Sequence, residues 1–392
     1  MKPQPWIARS LFLLGAAAAA SSGACSSSDG PAPAPAPAPA ATTPAMPDPP
    51  APVTCGAGSY RTADNTCEAF PGLTVQRSSA VITPIRDHHT TAVIETAAGP
   101  YLYVFGGTDN WKTLHNDVQR ARIHDDGTLD KFESAGALPA PRAGHCIAKI
   151  KDRYLLAGGI IPGTATMGVS ASTILVTVGA DGKVSGIAPG PDLPKAVMHL
   201  TCDVQGDYVY ALGGRGSDSK STTMSARAKI GADGSLGAFE AQTALKPDRS
   251  HHASFIRDNR IYVVGGLTGD PTGDYVDRSD IIMASIGADG ALGAWSAAGK
   301  LPMALGVSSA QLYKDAVYLV GGLESNAFTD RIRRGTFNDD GTLAPIATLP
   351  STLPAPRGHV HETPMWKTFF FSVGGQDDDF TSLGTVDVGH FE

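Results

Sequence analysis

A short apolar run that closes on a pair of glycines occurs six times in this chain at nearly even spacing, and no other feature restricts the fold so strongly. The runs are YLYVFGG ending at Gly107, YLLAGG at Gly159, YVYALGG at Gly214, IYVVGG at Gly266, VYLVGG at Gly322 and FFFSVGG at Gly375, in steps of 52, 55, 52, 56 and 53 residues. A period near fifty has to be settled before any local reading, because each unit of such an array buries its apolar face only against its neighbours. An Asp-Gly pair follows in five units, at Gly127, Gly182, Gly234, Gly290 and Gly341, with an apolar residue two positions beyond. The sixth unit has none before the chain ends at Glu392.

Each landmark has a backbone reason. Three residues before the first glycine stands Tyr103, Leu155, Tyr210, Tyr262, Tyr318 or Phe371, inside an apolar run of strand length, and the paired glycines permit a tight exit. Asp-Gly between strand-like runs is the signal for a type I′ hairpin. Leu-Pro, at Leu138-Pro139, Leu193-Pro194, Leu301-Pro302 and Leu353-Pro354, ends an outermost strand, where a missing N–H is tolerated. Each unit therefore reads as four short antiparallel strands. With helix-period patterning absent, six such units are expected to form an all-β, six-bladed propeller.

The Gly-Gly pair, the strand aromatic and a later tryptophan, Trp295, whose place Phe132 and Phe239 take in other units, resemble the kelch repeat over residues 73–392. The pattern departs in unit two, which has Ile187 there, in unit five, which ends in Ile346, and in unit six, where the position falls outside the repeat. The resemblance implies a kelch-type β-propeller. Residues 73–89 align without a gap onto 236–252, matching Pro84 to Pro247, Arg86 to Arg249 and the histidine pairs. The strand before Pro84 is thus expected to be the missing outer strand of the last blade, closing the ring and removing open edges.

Upstream of the repeats, Lys2, Arg9 and the apolar residues 11–20 read as an export signal over 1–24, too short to span a bilayer. Ser22-Gly23-Ala24-Cys25 resembles the lipobox of bacterial lipoproteins, with serine where that family usually has leucine. Ordinary cleavage after Ala24 is the alternative. Five cysteines is an odd number for an exported protein, and lipidation of Cys25 leaves four that can pair. Residues 25–53, rich in Pro and Ala, read as an extended tether that cannot bury a core. The expected location is a bacterial outer membrane or cell surface, held through the lipid, or, with plain cleavage, a soluble secreted or periplasmic form.

Cys55 and Cys67 bracket a short loop over 54–70 with no histidine between them, which favours a disulfide over a metal site. Cys146 and Cys202 fall on corresponding faces of neighbouring inner strands; whether their separation permits a bridge the sequence leaves open.

An arginine and one or two histidines recur at the start of the inner strands: Arg86 with His88 and His89, Arg142 with His145, Arg249 with His251 and His252, Arg357 with His359. By the kelch resemblance the turn into the inner strand opens on the face of the loop after Gly-Gly. Arg86, Arg142, Arg249 and Arg357 would then ring a binding mouth, with Trp111, Arg215, Asp270, Asn326 and Asp377 in adjacent loops. Against this, a residue recurring in most repeats serves to hold blades together, whereas ligands meet residues that differ between repeats. Trp111 is the sharpest of these, either an indole offered to sugar or peptide or one packed on its own blade. The acidic loops, Asp270, Asp274, Asp277 and Asp280 in one and Asp377, Asp378 and Asp379 in the other, lack the spacing of a calcium loop, so no metal is expected. A net charge of −7 without a basic cluster argues against nucleic acid.

Three functional readings follow. The first is a non-enzymatic scaffold whose mouth engages a protein, peptide or glycan; the second is a sugar-acting enzyme, since kelch propellers include galactose oxidase and the six-bladed sialic acid epimerase; the third is a structural surface protein. Copper chemistry of the oxidase type needs a tyrosine cross-linked to a cysteine, and no tyrosine stands beside Cys146 or Cys202 by the repeat, so no cofactor is expected. The scaffold is the reading carried forward.

Overall fold

The computed structural model describes residues 53–56, 58–62, 64–162, 168–269 and 275–392. The signal, Cys25 and nearly all of the tether lie outside these, as do Asp270 and Asp274. Among the described residues there are six four-stranded antiparallel sheets and no helix. In blade 1 the strands Thr90–Thr96, Gly99–Phe105, Asp117–Arg122 and Glu133–Ala137 pair in chain order. Blades 2 to 5 repeat that order. Blade 6 takes Met365–Trp366, Phe369–Val373 and Thr385–Phe391 from the end of the chain, and its outer strand is Leu73–Val81, with Leu73 opposite Phe391. The closure expected from the 73–89 alignment is present.

The second strands read as unbroken apolar runs because both faces are covered. Leu102, Val104 and Ala121 of blade 1 pack on Phe371 and Val388 of blade 6, while Tyr103, Phe105 and Val118 pack on Tyr154 and Val176 of blade 2. Each seam between neighbouring blades holds such a cluster. The core is therefore distributed around the ring, as expected when a unit cannot bury its own faces.

The glycine pairs close these seams. The second glycine donates its N–H to a carbonyl of the next blade in all six: Gly107 to Arg142 (2.8 Å), Gly159 to Val197 (2.8 Å), Gly214 to Arg249 (2.9 Å), Gly266 to Leu305 (2.8 Å), Gly322 to Arg357 (2.9 Å) and Gly375 to Arg86 (3.0 Å). The first glycine lies so near that backbone that a Cβ on Gly106, at φ +59°, would stand 2.3 Å from the Arg142 carbonyl oxygen. Glycine is thus required by inter-blade approach as well as by the exit angle.

The Asp-Gly turns differ from expectation. A type I′ turn needs positive φ at both central residues, yet only the glycine has it, +81° at Gly127. The Asp126 carboxylate instead accepts the Thr128 N–H (3.0 Å) and hydroxyl (2.6 Å), and Asp233 with Ser235 and Asp340 with Thr342 repeat the arrangement. The aspartate side chain holds the turn, so its own backbone need not enter the left-handed region. The turn also receives the strand tyrosine of the preceding blade. The Tyr103 hydroxyl donates to the Gly182 carbonyl, Tyr210 to Gly290 and Tyr262 to Gly341, at 2.5, 2.8 and 2.8 Å. Tyr318 precedes the one blade without an Asp-Gly turn, and its hydroxyl lies beside Arg334 instead.

Both cysteine pairs are bridged. Cys55–Cys67, with Cα atoms 5.5 Å apart, closes the small hairpin Ser59–Arg61/Cys67–Ala69, and Phe70 just beyond it enters the apolar cluster between blades 5 and 6. The Arg334 guanidinium covers the Phe70 ring at 4.0 Å. Cys146–Cys202 joins the inner strands of blades 2 and 3, whose Cα atoms approach to 5.6 Å, which answers the question the sequence left open. Two disulfides fit an exported protein.

Candidate functional site

Six equivalent residues surround the axis at the head of the inner strands, all in the left-handed region: His88 (φ +53°), Gly144 (+65°), His199 (+54°), His251 (+54°), Val307 (+48°) and His359 (+55°). Backbone bonds link the first five in turn. Gly144 donates to the His88 carbonyl at 2.7 Å, His199 to Gly144 at 2.8 Å, His251 to His199 at 3.1 Å and Val307 to His251 at 2.8 Å. Left-handed backbone is strained for any residue with a side chain, and it persists where surrounding structure over-determines it. Here the run of four bonds from His88 to Val307 does so.

Four of the six positions carry imidazoles, and these meet at the axis. His199 and His251 stack with centroids 3.7 Å apart, His88 and His359 lie 4.1 Å apart, and His88 and His199 4.9 Å. Burial drives the pKa of all four well below the ordinary histidine value, and the mutual repulsion their charged forms would feel acts in the same direction. His361, beneath them, is lowered to about 4, again by burial. The floor of the mouth is a layer of neutral imidazole at pH 7. His88 Nδ1 bonds the Asp87 carboxylate, whose other oxygen accepts the Gln376 amide (3.1 Å), the Asn110 N–H (3.3 Å) and the Ser382 hydroxyl (2.5 Å). Burial raises the Asp87 pKa, and those hydrogen bonds oppose the rise.

Aromatic side chains stand over this floor. Trp111 is 43% exposed, and its ring lies 4.5 Å from His88 and 6.3 Å from His199. It occupies a true type I′ turn, with Asn110 at φ +44° and Trp111 at +60° and the Lys112 N–H on the Asp109 carbonyl. A bulky ring is held there at a cost of about 1–2 kcal/mol. Tyr275 is 38% exposed, 6.4 Å from His251, and stacked under the Arg215 guanidinium at 5.1 Å. Phe380, half exposed, rests on Phe328, which in turn lies 5.8 Å from His359.

No family model matches the chain. It is 23% identical over 236 residues to Beta-scruin of Limulus polyphemus, an alignment covering 60% of this chain and 25% of that protein, so the chain spans about a quarter of the length of the curated relative it matches. The solved structure of YjhT superposes with a TM-score of 0.57 at 11% identity, covering 78% of this chain and 95% of that one. The chain is a six-bladed β-propeller.

The four arginines expected around the mouth are buried in the blades instead. Arg86, Arg142, Arg249 and Arg357 are at most 3% exposed, and each donates to the carbonyl of the first glycine of its own blade, Gly106, Gly158, Gly265 or Gly374. The rest of the guanidinium ties the start of the third strand, through Asp117, Ser172, Asp280 or Thr385. A planar fork of donors suits two acceptors at fixed angles, which explains both the recurrence and the burial. Arg142, with no carboxylate partner among the described residues, has its pKa drawn down by burial to about 10. Blade 3 lacks the arginine, and the Thr222 hydroxyl reaches the Gly213 carbonyl in its stead.

Among the loop residues of this propeller, Trp111 and Arg215 are at the rim. Asn326, at φ +66°, fills in blade 5 the turn position that Trp111 fills in blade 1 and serves the turn. Asp377 caps its own loop by accepting the N–H groups of Asp379 and Thr381. Asp280 is ion-paired with Arg249 and Arg278, which removes it as a calcium ligand. Among the described residues no group of three or more His, Cys, Asp or Glu has metal-binding geometry, since the imidazoles stack rather than converge their nitrogens. Sequence reasoning missed Tyr275, Phe380 and the histidine floor. The available signal was the doubled histidine: the second of each pair is a seam residue, His252 bonding the Thr201 hydroxyl at 3.0 Å, while the first faces the axis.

Proposed function

We propose that this propeller is an exported binding scaffold, held at a bacterial envelope through a lipid on Cys25 and the 25–53 tether, whose mouth takes a glycan or an aromatic-binding peptide. The observation that carries the reading is Trp111, presented in a left-handed turn above neutral imidazoles, with Tyr275 and Phe380 completing a rim of exposed rings. Such rings offer apolar faces with polar groups between them, the surface that sugars and extended peptides use. The imidazoles of the floor are neutral, which favours ligands that are uncharged where they touch them. Residues 53–392 probed on glycan and peptide arrays, beside Trp111→Ala, test the mouth. A hit retained by the variant would count against it. Incorporation of labelled fatty acid into the full chain, lost in Cys25→Ser, tests the anchor.

A second reading is favoured by the Asp87–His88 pair, in which a buried carboxylate orients an imidazole at the floor in the manner of a general base. Anomer exchange of free sugars, followed by NMR with the protein and with His88→Gln, tests it.

A further inference from the structure

Below the histidine floor the axis widens into a cavity of about 330 Å³, within the size range of small-molecule sites. Its walls are the inner strands, and no mouth-rim residue lines it. The wall is polar: Thr201, Ser254, Gln311 and Thr363 contribute hydroxyl and amide groups, and Asp203 of blade 3 and Glu362 of blade 6 contribute carboxylates.

The two carboxylates are bonded in an unusual way. Glu362 accepts the Thr91 N–H at 3.1 Å, and Asp203 accepts the Ser254 hydroxyl. Among the described residues neither is in an ion pair with a lysine, an arginine or a histidine. The other titratable groups on the wall are the exposed Lys149, Tyr154, His252 and His361. Both histidines are held neutral by burial. Both carboxylates are partly buried and lack a cation to offset the lost hydration, and that desolvation raises Asp203 to about 6 and Glu362 to about 8. Two buried acids elsewhere are met by arginines, Glu324 by Arg333 and Asp387 by Arg357. Here the complementary charge is left for something that enters.

We propose that the central cavity is a second binding site, separate from the mouth, for a small polar molecule carrying primary ammonium groups, which Asp203 and Glu362 receive while the hydroxyls and the Gln311 amide bind its remaining polar atoms. Asp203 and Glu362 stand on opposite blades, 3 and 6, of the six-bladed ring, so a diamine can offer one ammonium group to each. Binding converts a protonated Glu362 into a carboxylate, so each molecule bound at neutral pH releases a proton from that group and affinity rises as pH approaches 8.

Calorimetry with putrescine as probe and 1,4-butanediol as its neutral counterpart tests this in the intact protein. The expected result is saturable binding of putrescine alone, with proton release read from two buffers of different ionisation enthalpy. Glu362→Gln should weaken binding by about tenfold or more and abolish the release. Asp203→Asn, with a second independent carboxylate removed, should weaken binding alone. Equal binding of the diol, no saturable heat with putrescine, or unchanged affinity in both folded variants overturns the proposal.

Discussion

The Gly375 N–H donates to the Arg86 carbonyl at 3.0 Å, so the last repeat is fastened to a residue that precedes the first inner strand. The same upstream segment supplies the outer strand Leu73–Val81, paired with Thr385–Phe391. A chain beginning at His88 therefore loses both the seam bond and a strand, and leaves Thr385–Phe391 as an open edge. It should unfold without a cooperative transition or be recovered only as aggregate, whereas a chain beginning at Leu73 keeps a single transition. A melting curve of the shorter chain that matches the longer one would remove the case for closure.

Two glycines separate backbone strain from blade contact. Gly106 and Gly206 have nearly the same φ, +59° and +56°, but a Cβ on Gly106 meets the Arg142 carbonyl oxygen at 2.3 Å, whereas on Gly206 it meets nothing within 4 Å. Gly206→Ala should cost about 1–2 kcal/mol, the price of left-handed backbone alone. Gly106→Ala should cost about 3 kcal/mol or more, since the seam must open as well. Urea midpoints at constant m-value measure the difference.

The period of the glycine pairs made the propeller legible, because the contact that needs glycine recurs at every seam. Closure was legible for the same reason: Pro84, Arg86 and His88-His89 repeat a pattern whose outer-strand context was known from 236–252. The Asp-Gly turns were misread in type, since aspartate there acts through its side chain, and the dipeptide alone does not separate the two uses. The arginines were misplaced because recurrence fixes a position in the blade but not the direction a side chain takes from it. Trp111 and Tyr275 sit in loops that differ between repeats, so periodicity says nothing of where they converge. The cavity carboxylates were illegible for a related reason: Asp203 and Glu362 lie on opposite blades and share no motif.

Arg86 and Trp111 should divide stability from binding. Arg86 is fully buried and makes two bonds of 2.9 Å to Asp117, so Arg86→Ala leaves an acceptor carbonyl and a half-buried carboxylate without their donor. A loss of about 3–5 kcal/mol is expected. Trp111→Ala removes an exposed ring from a turn its backbone disfavours and should change stability by less than about 0.5 kcal/mol while abolishing recognition at the mouth. Thermal melts paired with array binding of the two variants give the comparison. A reversal of the two outcomes would place the arginines back among the ligand contacts.

Acid and alkali should destabilise the fold for opposite reasons. Burial holds nine of the eleven histidines below the ordinary value, including His89 and His252 at about 3. The unfolded chain takes up protons at these sites from about pH 6.5 downward while the folded chain does not, so stability falls as pH drops through that range, with several protons bound per molecule unfolded. Asp203 and Glu362 act the other way. Their folded pKa values, about 6 and about 8, lie above the unfolded ones, so the folded state holds protons the unfolded state has lost and stability falls as pH rises from about 4 to 8. The stability maximum should therefore lie near pH 6–7, between the two limbs. Glu362→Gln isolates the alkaline limb: it should raise stability at pH 8.5 on the order of 2 kcal/mol and change it little at pH 5, where the wild-type carboxyl is protonated in the folded state. Urea titrations across pH 4 to 9 measure both limbs, and an alkaline limb unchanged in the variant would mean that Glu362 is ionised in the native cavity.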